Sequence, residues 1–402
     1  MSKEESGSDV SVSVFPVTGH GRPISHICIS KDDTRFVTAD HLGEVRVWRL
    51  KSEGSDKQVE WERNIHVGNR IYGLGMLCDD TILFTATAFG FFVYNIENGG
   101  LIQVVEPDIP FSSGEISFGH EYVLATVPAK MGCKQEIRVY RIPGDLAMAS
   151  KSVAPVDPRG TEEGSNVLAD PPVAEWEIVG RIPLGTTSFI HEISGAKITA
   201  PINGNSSCWG PLNQTLIVGC SDNVVRVYDA KDFSLKWTYD IVEKAEDDCK
   251  MAGSGGVDEL DVAKGANAGL KRVIITADKN HIIIPSTDGI VRIIDPWHFK
   301  TVKVMKCDIP VRVAALHPKL PLMFCAGGIE SSDVTQTKQS GDQFQIYICN
   351  IVHREVLDSL RGHIGTVDEI QVAHSGRFII SSAWDGTGIV WWFGKEIGKY
   401  KP

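Results

Sequence analysis

The chain has 402 residues, of which 42% are hydrophobic and 23% charged, a balance that builds a core and does not fit a disordered chain. Acidic side chains outnumber basic ones 51 to 40, for a formal charge of −11, so a phosphate backbone would be repelled and little direct nucleic-acid binding is expected. No run of about 18 apolar residues could span a bilayer, and the nine cysteines are dispersed without a C-x-x-C pair, so neither a membrane span nor a disulfide or zinc framework is expected.

Residues 1–9 are rich in Ser and Glu and lack the basic and apolar blocks of a signal peptide; they read as a disordered tail on a cytoplasmic protein. Val10 to Val17, with Val12, Val14 and Phe15, is a strand-like run with no neighbour to pair with locally. Next, Gly19-His20 is followed by Ile27 and Ile29, by Phe36-Val37-Thr38-Ala39 and by Val45-Arg46-Val47-Trp48. The same unit returns at the end as Gly362-His363, Val367/Ile370/Val372, Phe378 to Ser382, Asp385-Gly386 and Ile389-Val390-Trp391, with His and Trp 28 positions apart in both copies. Between them lie five more copies of the third apolar run, ending at Tyr94, Tyr140, Tyr228, Ile294 and Cys349.

Seven short strand sets separated by Gly, Asp, Asn and Ser predict an all-β, seven-bladed propeller of the WD-repeat kind over residues 10–393, with a tail at 394–402. The stretches 143–172 and 243–268 carry turn composition without strand alternation and read as surface insertion loops, which places Asp248 in solvent. The last unit supplies three strands after His363, so the N-terminal run should complete the seventh blade and remove an open edge.

His363, Ser381 or Ser382, Asp385 and Trp391 suggest a hydrogen-bond relay between the strands of that blade. His, Ser and Asp also spell a hydrolytic triad, but they occupy positions the repeat dictates and no G-x-S-x-G elbow occurs, so the structural reading is preferred. Asp222, Asp288 and Asp385 each lie six residues before the end of a third strand and should stabilise tight turns; Asp288 is also a candidate polar anchor for a partner. His191-Glu192 lacks the second histidine of a zinc protease motif, and Gly265 to Lys271 departs from the phosphate-binding loop. The acidic cluster Glu243, Glu246, Asp247 and Asp248 reads as solvated, and the tail lysines Lys395, Lys399 and Lys401 are too few to outweigh the net charge. No enzyme, cofactor or metal is expected.

Three stretches go beyond generic repeats. Cys208-Trp209-Gly210-Pro211-Leu212, the run Ala326-Gly327-Gly328 to Asp333-Val334-Thr335-Gln336-Thr337 with Gly341 and Phe344, and Gly362-His363-Ile364-Gly365-Thr366-Val367 resemble the i subunit of eukaryotic translation initiation factor 3. The likeness spans roughly residues 198 to 393 and marks a divergent member: the insertions lengthen the chain, and Gly341-Asp342-Gln343-Phe344-Gln345 departs from the family's G-K-F-E-A. The resemblance implies a non-enzymatic scaffold subunit supporting assembly of the initiation complex on the small ribosomal subunit, held by a helical segment of the b subunit and meeting the g subunit. That helix is expected on the ring edge near the fifth and sixth blades, with Asp288 as its polar contact. A different WD-repeat adaptor, for signalling or RNA assembly, is the competing reading.

Overall fold

Apolar runs of five to seven residues joined by tight turns have one economical solution, the antiparallel meander, and seven meanders close a ring without leaving a free edge. In a computed structural model describing residues 12–53, 56–156, 172–190, 197–252, 269–328, 344–393 and 397–398, the chain makes seven four-stranded antiparallel blades. Blades 1 to 6 span residues 24–66, 71–105, 113–183, 204–240, 274–306 and 311–360. Blade 7 takes three strands from residues 367–392 and its fourth from Ser13–Val17, which pairs antiparallel with the strand Gly388–Trp392. The closure expected of the N-terminal run is therefore present from Ser13 onward; Val10 and Ser11 lie outside the described residues.

The residues that end the third apolar run have a common geometric role. In blades 1 to 6 the pairing of third and fourth strands shifts register on reaching Trp48, Tyr94, Tyr140, Tyr228, Ile294 and Cys349. A bulge there bends and twists the outer strand. Blade 7, whose fourth strand arrives from the other chain end, pairs in continuous register. The core lies between blades, where faces such as Ile290–Asp295 and Phe378–Ala383 are nearly all buried. Inner strands approach closely: a Cβ on Gly73 would lie 2.3 Å from the Gly114 carbonyl oxygen of the next blade, so glycine is required there.

A second set of contacts runs around the face that carries the turns between first and second strands. The Asp80 carboxylate accepts from Lys31 N–H, His120 Nδ1 accepts from Cys78 N–H, and Asp33 accepts from His374 N–H at 2.8 Å and Ser375 N–H at 2.7 Å. Asn213 Oδ1 accepts from Phe118 N–H at 3.0 Å while its Nδ2 donates to Phe118 O at 2.6 Å. Each bond crosses a seam between neighbouring blades.

The inserted stretches differ from the loop reading. Leu146–Lys151 is a short helix, and Val173–Ala174 adds a parallel fifth strand to blade 2. Ile241–Ala252 is a helix of 12 residues that follows blade 4 and crosses the outer strand Lys300–Lys306 of blade 5. Its Met251 carbonyl meets Arg354 in a turn of blade 6. Ile241, Ala245 and Asp248 are buried at helical spacing along one face. Residues 157–171 and 253–268 lie outside the described residues, as do both tails apart from 397–398. Among the described residues no helix is long and apolar enough to cross a membrane.

Candidate functional site

Blade 7 brings His363, Ser381, Asp385 and Trp391 together. Trp391 Nε1–H donates to Ser381 Oγ at 2.8 Å, Ser381 Oγ and His363 Nε2 are 2.7 Å apart, and His363 Nδ1 lies 3.5 Å from Asp385. The assignment consistent with every partner runs Trp391 N–H to Ser381 O–H to His363 Nε2, with His363 Nδ1–H directed at Thr387 Oγ1, 3.3 Å away, and at the Asp385 carboxylate to which Thr387 O–H donates. Burial alone would raise the Asp385 carboxyl, but contacts with His363, Thr387 and the Ile364 N–H outweigh it and hold the group far below the ordinary carboxylate range. A hydrolase would need an accessible serine. Ser381 is fully buried and its oxygen already carries the Trp391 N–H.

Blade 1 repeats this relay, which sequence reasoning did not assign. Trp48 Nε1–H donates to Thr38 Oγ1 at 2.9 Å, Thr38 Oγ1 lies 2.8 Å from His20 Nε2, and His20 Nδ1 lies 3.2 Å from Asp40. The available signal was spacing: 18 positions from His to the hydroxyl residue and 10 from there to Trp, as in blade 7. Glu44 joins His20 and Asp40 in a group dense enough to hold a cation. The relay and the Arg46–Glu44 ion pair at 2.8 Å account for all three residues without one.

Asp288 occupies the turn between the second and third strands of blade 5. Its Oδ1 accepts from Ile290 N–H at 2.9 Å and its Oδ2 from Arg292 Nη2 at 3.0 Å. Asp222 and Asp385 receive their turn N–H groups in the same way. Arg292 is fully buried, and its Nε donates to Asp248 at 2.5 Å; both Asp248 oxygens also accept from Tyr239 Oη, at 2.7 and 2.8 Å. This corrects the solvated placement of Asp248. The residue is 3% exposed, because a buried guanidinium requires a counter-charge and the inserted helix supplies it.

The outer edge of blades 5 and 6 exposes apolar side chains that a monomer gains nothing by showing. Trp297, Val302, Val352 and Val356 are each about half exposed, and Lys303 Nζ donates to Val352 O at 3.0 Å, tying the two blades together there. The Asp333 to Thr337 segment lies outside the described residues, as do His191-Glu192 and Lys395, Lys399 and Lys401. The dispersed cysteines partly converge: Cys325 Sγ lies 3.5 Å from Cys307 and 3.7 Å from Cys349, all buried and free.

Comparison with known proteins adds three findings. The model of the family described as WD domain, G-beta repeat matches residues 11–49 and 354–391. The chain is 23% identical over 372 residues to eukaryotic translation initiation factor 3 subunit I of Dictyostelium discoideum, an alignment covering 91% of this chain and 90% of that protein. It is 24% identical over 218 residues to the subunit I of Drosophila yakuba, covering 54% of this chain and 56% of that relative.

Proposed function

Because the chain is a divergent member of the initiation factor 3 subunit I family, we propose that it is a non-catalytic scaffold of that factor, supporting assembly of the initiation complex on the small ribosomal subunit in the cytoplasm. The observation that carries this reading is the Dictyostelium alignment, which runs through nearly the whole of both chains and so compares ring with ring. A signalling or RNA-assembly adaptor is not favoured, since the relatives compared carry the initiation factor name. A role without catalysis is supported by the burial of Ser381 and the use of each relay histidine inside its blade.

The b and g subunits are the proposed partners. A helical segment of b would lay its apolar anchors on the half-exposed Trp297, Val302, Val352 and Val356 at the edge of blades 5 and 6, beside the chain's own helix. Asp288 lies on a turn of the opposite face and already serves Arg292, so its part as a polar anchor depends on the fraction of its carboxylate left to solvent.

The test uses the tagged chain as bait in eukaryotic cell extract, with identification of the recovered proteins and a melting curve for each variant. Wild type should recover initiation factor 3 subunits, V302D/V356D should recover far less, and Asp288→Asn should lie between them. Recovery of no subunit by wild type would contradict the function. Undiminished recovery by the valine pair would move the docking edge elsewhere, and undiminished recovery by Asp288→Asn would remove that residue alone.

A further inference from the structure

An exposed surface without an assigned role lies where blades 7, 1 and 2 meet, at the mouth of the central channel. The channel is a cavity of about 350 Å3 lined by inner strands of the ring and, at this end, by His41, Arg70 and Asp368. Trp384 stands beside it, 41% exposed, yet fixed from three sides. Its Nε1–H donates to Asp368 at 2.6 Å, the His41 ring meets it edge-on at 5.8 Å, and the Arg312 guanidinium lies 5.8 Å above its ring. Ile364 and Leu42, 83% and 57% exposed, complete the apolar rim. The Ile364 N–H donates to Asp385 and the Trp384 N–H to the Thr366 carbonyl, so both turns are held against the relay of blade 7. A rigid, half-exposed tryptophan with apolar neighbours has the composition of an interface centre.

Charge decides what fits there. Two acidic groups of the lining are already paired: Asp368 accepts from Arg312 Nε at 2.8 Å as well as from Trp384, and Glu369 pairs with Arg272 at 2.9 Å. Arg70 is exposed, stacks over Tyr72 and makes no ion pair among the described residues. Arg22, whose backbone abuts the turn at Gly386, is likewise exposed without an ion pair among the described residues. His41 Nε2 is buried in the lining and has no hydrogen-bond partner. Burial lowers the His41 pKa, and the Arg70 charge lowers it further against the opposing pull of Asp368 and Asp40.

We propose that this mouth binds a peptide segment in which apolar side chains flank a carboxylate, the apolar groups covering Leu42, Ile364 and Trp384 and the carboxylate pairing with Arg70. The surface is separate from the edge of blades 5 and 6, so it stands or falls independently of the partner assigned there. The exposed Arg70 guanidinium beside an apolar rim suits one carboxylate; a nucleic-acid strand would need a longer basic track.

The test is fluorescence polarisation with the full chain and three labelled peptides, acetyl-Leu-Leu-Asp-Phe-Leu-amide and its counterparts with Asn or Lys in place of Asp. The Asp peptide should bind at least tenfold more tightly than the Asn peptide and the Lys peptide should not bind. Arg70→Glu should reverse the order, gaining the Lys peptide while losing the Asp peptide, a result that loss of folding cannot imitate. Trp384→Ala, with its melting curve recorded, should weaken the Asp peptide at least tenfold. Absence of Asp-peptide binding, equal binding of the Asp and Lys peptides, or an unchanged preference in Arg70→Glu would overturn the proposal. Displacement of the peptide by oligouridine at lower concentration than by unlabelled peptide would assign the mouth to RNA instead.

Discussion

At the residue scale the relays convert buried polar groups into fixed links between strands. Removing one member strands the next, and an unpaired buried hydroxyl or imidazole costs about 1–3 kcal/mol. His363→Ala and His20→Ala are each expected to lower unfolding stability by that amount in urea titrations. Unchanged stability in either would mean the relay does not link its strands. The blade 7 relay was legible because Gly362-His363 and Asp385-Gly386 stand out beside Trp391, whereas the blade 1 relay places Asp40 in a His-Leu-Gly turn without that signature. A seam contact titrates as well. Burial opposes ionisation of Asp33, but the His374 and Ser375 donors win and bring its pKa down to about 2, while Asp33 raises His374. Sign follows from linkage: the lowered Asp33 stabilises above the ordinary Asp value of about 4 and is lost as pH falls toward 2, and the raised His374 stabilises below about 6.5 and is lost as pH rises past its folded value. The seam between blades 7 and 1 should be tightest between about pH 4 and 6.5. Melting temperature against pH should be flatter in Asp33→Asn than in wild type across both limbs, and parallel curves would show that the contact contributes nothing.

At the element scale, strands and helices differed in how visible they were. All seven third strands were legible because each repeats an apolar run, which in blades 1 to 6 ends at the bulge residue, and the closing strand was legible because Val12, Val14 and Phe15 had no other pairing. The helix Ile241–Ala252 was not. Among its described side chains the buried ones are Ile241, Ala245 and an aspartate, so its pattern looks like solvated surface until Arg292 is known to lie beneath it. Asp248→Ala should therefore destabilise the chain by roughly 3–5 kcal/mol, as expected when one partner of a buried ion pair is removed. The double change Asp248→Leu with Arg292→Met should recover much of that loss. A neutral Asp248→Ala in thermal or urea unfolding would show that the helix does not depend on the pair.

At the scale of the whole molecule, the ring offers surfaces and spends its histidines, serines and buried carboxylates on holding them still. Turn-to-turn hydrogen bonds across neighbouring seams, together with the strand Ser13–Val17, make the blades one body, and a rigid body is what a subunit needs to hold partners in fixed relation. The central claim is that this body is built into initiation factor 3. Gradient sedimentation of lysate from cells expressing the tagged full chain at native level, with each fraction probed for the chain, for other initiation factor 3 subunits and for small-subunit ribosomal RNA, tests it most directly. The account predicts that the chain migrates in the multiprotein fraction with those subunits, and that part of it moves with the small ribosomal subunit. Migration of all the folded chain near its monomer mass, apart from every other subunit, would contradict it.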